Sequence, residues 1–201
     1  MNFAASAITA LQSSLTARWH AAPPGPRPPP PGGEPFAALV EQNHLRNFLL
    51  WHEEDSARRD DLGFEAVYRA KRAIDRLNQE RNDCIERLDQ AIAAAVQPPA
   101  DGCPRNSETP GMIIDRLSIL ALKAYHMQEE AERASATPEH REKCAARLAR
   151  IRRQAADLAA CFDELIADVT ARRRTFSVYY QFKMYNDPSL NPQLYRGRNP
   201  G

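Results

Sequence analysis

A chain of 201 residues with 43% hydrophobic and 26% charged side chains has an ordinary globular composition and the length of one domain with a sizeable core. Its 27 basic and 26 acidic residues nearly cancel, which removes any electrostatic argument for nucleic acid or a membrane surface. No apolar run approaches the roughly 18 residues of a membrane helix, and the amino terminus lacks a signal-peptide pattern.

In chain order, Ile8, Leu11, Leu15 and Trp19 mark an amphipathic helix over about 4–19. A proline- and glycine-rich stretch over 23–33 follows and reads as an extended linker. The second helix is expected over 35–59, with Pro35 in its first turn, and breaks at Asp60-Asp61-Leu62-Gly63. The third, over 64–96, lines up Val67, Ala70, Ile74, Leu77, Cys84, Ile85, Leu88 and Ile92, and Pro98-Pro99 ends it.

Thr109 caps a fourth helix with Pro110 at its first position, running to about 134. Thr137-Pro138-Glu139 repeats that start for a fifth helix, whose Leu148, Ile151, Ala155, Leu158, Phe162, Leu165 and Val169 form a regular seam. Phe176, Val178, Tyr179, Tyr180, Phe182 and Tyr185 then crowd a tail that is expected to pack back on the bundle. The fold predicted is all-α, an antiparallel bundle of about five helices. Its parts are a helix at 1–20, a linker at 21–35, the bundle at 36–195 and a disordered tail at 196–201. The four cysteines (Cys84, Cys103, Cys144, Cys161) lack Cys-x-x-Cys spacing and read as buried free thiols of a cytoplasmic protein.

Polar residues continue several apolar stripes. Leu45, Phe48 and Leu49 lead to His52 and Asp55. Asn78 and Arg81 fall between Ile74 and Ile85, with Asp75 and Asn82 along the flank. Asp115, Ile119, Leu122, His126 and Glu129 form one line. Buried groups of this kind require partners or a ligand. They form either an internal network, with Asp75 or Asp115 paired to Arg81 or Arg116, or a polar cleft between the second, third and fourth helices. In the cleft reading, Arg58, Arg81, Arg116 and Lys123 supply cations for a phosphate.

Trp51-His52 with Asp55, and Tyr125-His126 with Glu129, each set a carboxylate three residues after a histidine on the same face. His52, Asp55, His126 and Glu129 are therefore the candidate ligands of a divalent metal, although carboxylate-bridged bundles place the carboxylate before the histidine. His20 and His140 carry no expectation, and His44 is left undecided.

Several segments together resemble domain-of-unknown-function family 4254. They are residues 47–55 (Asn-Phe-Leu-Leu-Trp-His-Glu-Glu-Asp), Ile74-Asp75-Arg76-Leu77-Asn78 with Arg81-Asn82-Asp83, Glu108-Thr109-Pro110-Gly111, Ile114-Asp115-Arg116-Leu117-Ser118, Tyr125-His126-Met127, and 180–188 with Leu190-Asn191-Pro192. The resemblance implies a bacterial companion of glycosyltransferases, encoded with cell-surface polysaccharide or lipopolysaccharide genes, and supplies no reaction.

The expected function is an accessory protein of surface-glycan assembly that binds a nucleotide sugar, a sugar phosphate or a glycosyltransferase in the polar cleft. One alternative is a metal-dependent all-α hydrolase of nucleotides or nucleotide sugars. Glu80-x-x-Asp83 and Glu86-x-x-Asp89 suit it, but Glu53 meets Ser56 and Glu54 meets Ala57 where the other carboxylate pair is required. The other alternative is a purely structural helical adaptor.

Overall fold

The computed structural model describes residues 3–25, 35–182 and 189–195. Five long helices carry the fold: α1 (Ala5–Ala21), α2 (Phe36–Ser56), α3 (Phe64–Val96), α4 (Pro110–Glu132) and α5 (Pro138–Thr170). A four-residue α6 (Pro192–Tyr195) follows. Residues 26–34 of the expected linker, Tyr185 with the turn at 186–188, and the expected tail at 196–201 lie outside the described residues.

Local chemistry sets most of the boundaries. Thr109 Oγ1 accepts from the Met112 amide at 3.3 Å and Thr137 Oγ1 from the His140 amide at 3.2 Å, each followed by proline at the first helical position. Pro35 stands just outside α2 rather than in it, with extended backbone and a carbonyl that accepts from Ala38. α2 ends at Ser56, short of the expected 59, because its last turn tightens: Arg58 N bonds Asp55 O and Arg59 N bonds Ser56 O. A 3₁₀ turn (Asp60–Leu62) then reverses the chain through Gly63 at φ +82°, a conformation natural to glycine.

Consecutive helices from α2 to α5 alternate in direction; across the longer α3–α4 connection, Asp89 meets Gly111 while Arg81 meets Asp115. α1 instead runs parallel to α2 and α4. Gln12 reaches Ile114 near one end while His20 meets Tyr125, His126 and His52 at the other. The end of α1 and the start of α2 therefore lie about one α1 length apart, roughly 25 Å at 1.5 Å per residue.

The main core joins Ile8 of α1, Leu39 and Val40 of α2, Leu88 and Ile92 of α3, Ile113, Ile114 and Leu117 of α4, and Leu158, Phe162, Leu165 and Val169 of α5. Leu15, Trp19, Phe48 and Leu122 form a second cluster. α1 is thus part of the core. Burial of Ile8, Leu15 and Trp19 is worth about 1.5–3 kcal/mol for each aliphatic side chain and at least as much for the tryptophan.

The tail crosses back over α3, where the Gln181 amide donates to Glu86 Oε1 at 2.7 Å. Thr175 makes a parallel bridge with Arg105, and Phe176 enters the core. Tyr179, Tyr180 and Phe182 stay exposed, so among the described residues Phe176 is the tail's buried aromatic ring. Cys84 and Cys144 are buried thiols as expected, Cys103 is half-buried and Cys161 is exposed, because position 161 falls outside the seam of α5. Among the described residues no helix is long and apolar enough to cross a membrane.

Candidate functional site

A polar layer crosses the centre of the bundle. On α2, Asn43, His44 and Asn47 are buried. On α4 the buried polar residues are Asp115 and Ser118, and on α1 they are Gln12 and Thr16. Asp115 Oδ1 accepts from Asn43 Nδ2 at 2.9 Å and from Asn47 Nδ2 at 2.8 Å, and Arg81 Nε of α3 stands 3.9 Å away. The second Asn47 amide hydrogen goes to Ser118 Oγ at 3.0 Å.

The proton positions follow from the partners. Thr16 Oγ1 donates to the Gln12 carbonyl at 2.9 Å, so it accepts from His44 Nε2, also at 2.9 Å. His44 Nδ1 then carries the lone pair and accepts from the Ser118 hydroxyl at 2.7 Å. His44 is therefore neutral. Burial pushes its pKa down to about 4, against a smaller opposing effect of the Gln12 backbone.

A second polar knot ties α3 to the start of α4. Asp89 is buried and accepts from Thr109 Oγ1 and from the Gly111 amide, both at 2.6 Å. Burial raises its pKa to about 6, partly offset by those two hydrogen bonds. Gly111 is required by this approach, since a Cβ there would lie 2.6 Å from the Ile85 carbonyl oxygen and 2.8 Å from Asp89 Oδ1. The carboxylates suited to magnesium are thus engaged: Asp89 here, Glu86 by the tail amide, Asp83 by Gln79 and Glu80 by Arg46 and Arg76.

The residues expected in one cleft divide into three groups. Asp115 and Arg81 meet in the central layer, with half-buried Asn78 and Asn82 on α3 beside Arg81. His52 and His126 come together at the far end of α2 and α4, with ring centroids 6.2 Å apart. Glu129 accepts from His126 Nδ1 at 2.9 Å, whereas Asp55 is exposed. The remaining residues lie at or near the surface: exposed Arg58 pairs with Glu54, exposed Arg116 with Glu108 and half-buried Asp75 with Lys71 and Arg72, and Lys123 is exposed. Each sits at the edge of its stripe, where a few tens of degrees around the helix separate core from solvent.

Four elements of the site went unread in the sequence. Asn43 and Asn47 continue the stripe from Leu39 to Leu50 at helical spacing, and Gln12 and Thr16 do the same between Ile8 and Trp19. Arg46 is half-buried, with Nε 2.9 Å from Glu80 Oε2. His20 carried no expectation, yet it stacks on Tyr125 with centroids 4.2 Å apart. Its neighbours are distant in sequence, so spacing alone held no signal for it.

A cavity of about 520 Å³ lies at the opposite end of the bundle from these histidines, lined by Phe3, Ala4, Val96, Asp163, Ile166 and Thr170 among others. The Asp163 Oδ1 there accepts from the Ala5 amide at 2.9 Å, so its one charged group caps α1. The chemistry-bearing side chains are elsewhere.

No curated protein and no solved structure compared with the chain matches it. The sequence model of the family described as Protein of unknown function (DUF4254) matches residues 37–178, well over half of the chain, and the protein belongs to that family.

Proposed function

We propose that the protein is a cytoplasmic accessory protein of bacterial surface-polysaccharide assembly that binds a sugar phosphate or nucleotide sugar beside the central polar layer. One observation carries the choice of ligand. The Nε atoms of Arg46 and Arg81 are buried without an aligned hydrogen-bond partner, and so is Asn43 Oδ1. Arg46 touches Glu80 as an ion pair whose N–H points elsewhere, and Arg81 is 3.9 Å from Asp115, beyond hydrogen-bond reach.

Buried donors left this way are costly, and a phosphate oxygen is the strongest acceptor for a guanidinium. The pathway rests on the resemblance to glycosyltransferase companions, and the ligand class rests on these orphaned atoms.

The test is calorimetric titration of a nucleotide-sugar panel and of sugar phosphates into wild type, Arg46→Lys and Arg81→Lys. Binding by wild type that either lysine variant weakens at least tenfold supports the reading. A panel with no binder, or lysine variants that bind equally well, removes it.

A second reading, a helical adaptor for a glycosyltransferase, is favoured by a different observation. Leu62, Phe64 and Tyr68 are exposed together where α2 turns into α3, Phe64 at 85%, with the Phe64 and Tyr68 rings stacked at 6.2 Å. Loss of the surface glycan in cells carrying Phe64→Ser with Tyr68→Ser, but not Arg81→Lys, would favour the adaptor.

A further inference from the structure

α1, α2 and α4 each bring one histidine to the same end of the bundle. The ring centroids of His20 and His126 are 4.8 Å apart, those of His20 and His52 5.4 Å, and those of His52 and His126 6.2 Å. Three imidazoles on one tetrahedral ion, with metal–nitrogen distances of about 2.0–2.1 Å, hold their ring centroids roughly 5 Å apart. The His20–His126 and His20–His52 pairs stand near that spacing, and the His52–His126 pair, at 6.2 Å, is wider.

In the neutral form, the partners of two of the rings fix the tautomer. His20 Nδ1 lies 2.8 Å from the Thr16 carbonyl, which only accepts, so Nδ1 donates. His126 Nδ1 donates to the Glu129 carboxylate at 2.9 Å. In each neutral ring the lone pair is then on Nε2, and both Nε2 atoms are buried with no hydrogen-bond partner.

Two buried acceptors in neighbouring rings, with no donor for either, are an expensive arrangement that a cation relieves. An Nδ1–H held by a carbonyl or carboxylate is also the arrangement that orients metal-ligating imidazoles and raises their basicity. Trp51 stacks on His126 at 4.7 Å, Tyr125 on His20 at 4.2 Å, and Phe48 meets His52 edge-on at 4.6 Å, which walls the group with apolar surface.

The geometry points to a three-imidazole site for a divalent transition ion of the zinc type, ligated by His20, His52 and His126, with Glu129 and the Thr16 carbonyl as positioning groups. Nitrogen donors without an oxygen cage select zinc, nickel or copper over magnesium and calcium. Among the described residues no group of three or more His, Cys, Asp or Glu side chains stands, as placed, where it could hold a metal ion, so the site needs an adjustment of one ring. Closure requires His52, whose ring makes neither of the Nδ1 hydrogen bonds above, to change rotamer toward the other two, which keep their Nδ1 bonds. The ion would tie α1, which precedes the family-matched segment at 37–178, to α2 and α4.

The experiment is titration of zinc into the chelator-stripped full chain by calorimetry, with cobalt substitution followed by visible absorption. One equivalent is expected, with the intense visible bands of four-coordinate cobalt. His20→Ala and His126→Ala should each weaken zinc binding by more than the roughly 10–100-fold expected for the positioning variant Glu129→Gln.

His140→Ala is the control, because His140 pairs with Glu130 and Cys144 on α4 and α5, away from this group. Circular dichroism checks that each variant folds, and the wild-type cobalt spectrum stands without any variant. Absence of zinc binding at sub-millimolar concentration overturns the assignment. So does unchanged affinity in folded His20→Ala, or binding lost only in His140→Ala.

Discussion

Ser118 Oγ lies 2.7 Å from His44 Nδ1, and both side chains are 0% exposed. The distance is that of a nucleophile and its base. The setting is not, because the layer encloses both groups and Thr16 holds the second imidazole nitrogen. The pair joins α2 to α4, and α1 through Thr16, so its consequences are for stability and helix register.

The pH dependence of stability carries the signature of this histidine. The folded pKa of His44, about 4, lies below its ordinary 6.5, so its contribution is present above 6.5 and lost as pH falls through 4. Asp89 works in the opposite sense, with a folded pKa near 6 against 3.8, and its contribution fades as pH rises from 4 to 6. The two oppose each other between pH 4 and 6. Gln keeps one donor and one acceptor at position 44 but does not titrate. Wild type should therefore gain about 3 kcal/mol on His44→Gln between pH 4 and 6.5. Urea unfolding across that range measures the gap, and a gap independent of pH would refute the neutral buried histidine.

Asp115 collects two amide donors and the Arg81 charge, so removing it strands all three. Asp115→Ala should cost about 3–5 kcal/mol. In a double-mutant cycle with Asn47→Ala, the two losses should fall short of additive by about 1–3 kcal/mol. Additive losses would show that the layer is not one network.

Gly111→Ala places a methyl group against the Ile85 carbonyl and the Asp89 carboxylate, both fixed by their own helix. A destabilisation of about 3 kcal/mol is expected, the upper end of the overpacking range, because both obstacles are rigid. Thermal unfolding reports it; a variant melting with wild type would mean that α3 and α4 separate easily there.

Arg116, expected in the cleft, is an exposed partner of Glu108. Arg116→Ala should change stability by no more than about 0.5 kcal/mol and leave ligand binding intact. A tenfold loss of nucleotide-sugar affinity in this variant would return Arg116 to the site.

The helices were legible residue by residue because their signals are local. Thr109-Pro110 and Thr137-Pro138 start α4 and α5 where the sequence places them, Gly63 reverses the chain, and the apolar seam of α5 faces the core through Leu158, Phe162, Leu165 and Val169. Caps, prolines and 3.6-residue spacing act within a few residues, so no partner is needed to read them. The inward turn of Asp115 was legible for the same reason.

What spacing does not contain is the neighbour across the interface. It gives the angle of a side chain around its own helix, while contact also depends on which helix lies opposite and at what height. Asp115 therefore found Asn43 and Asn47 rather than Arg116, and Arg58 and Lys123 fell to solvent by a small rotation. His52 and His126 were readable as a pair of matching motifs. Their third neighbour, His20, comes from a helix joined to α2 by the proline-rich segment, and only the parallel packing of α1 on α2 and α4 brings it there. The sequence by itself determined the helices and their buried faces; tertiary packing decided which polar groups met, because helix pairing and axial register are properties of the whole bundle and of no single segment.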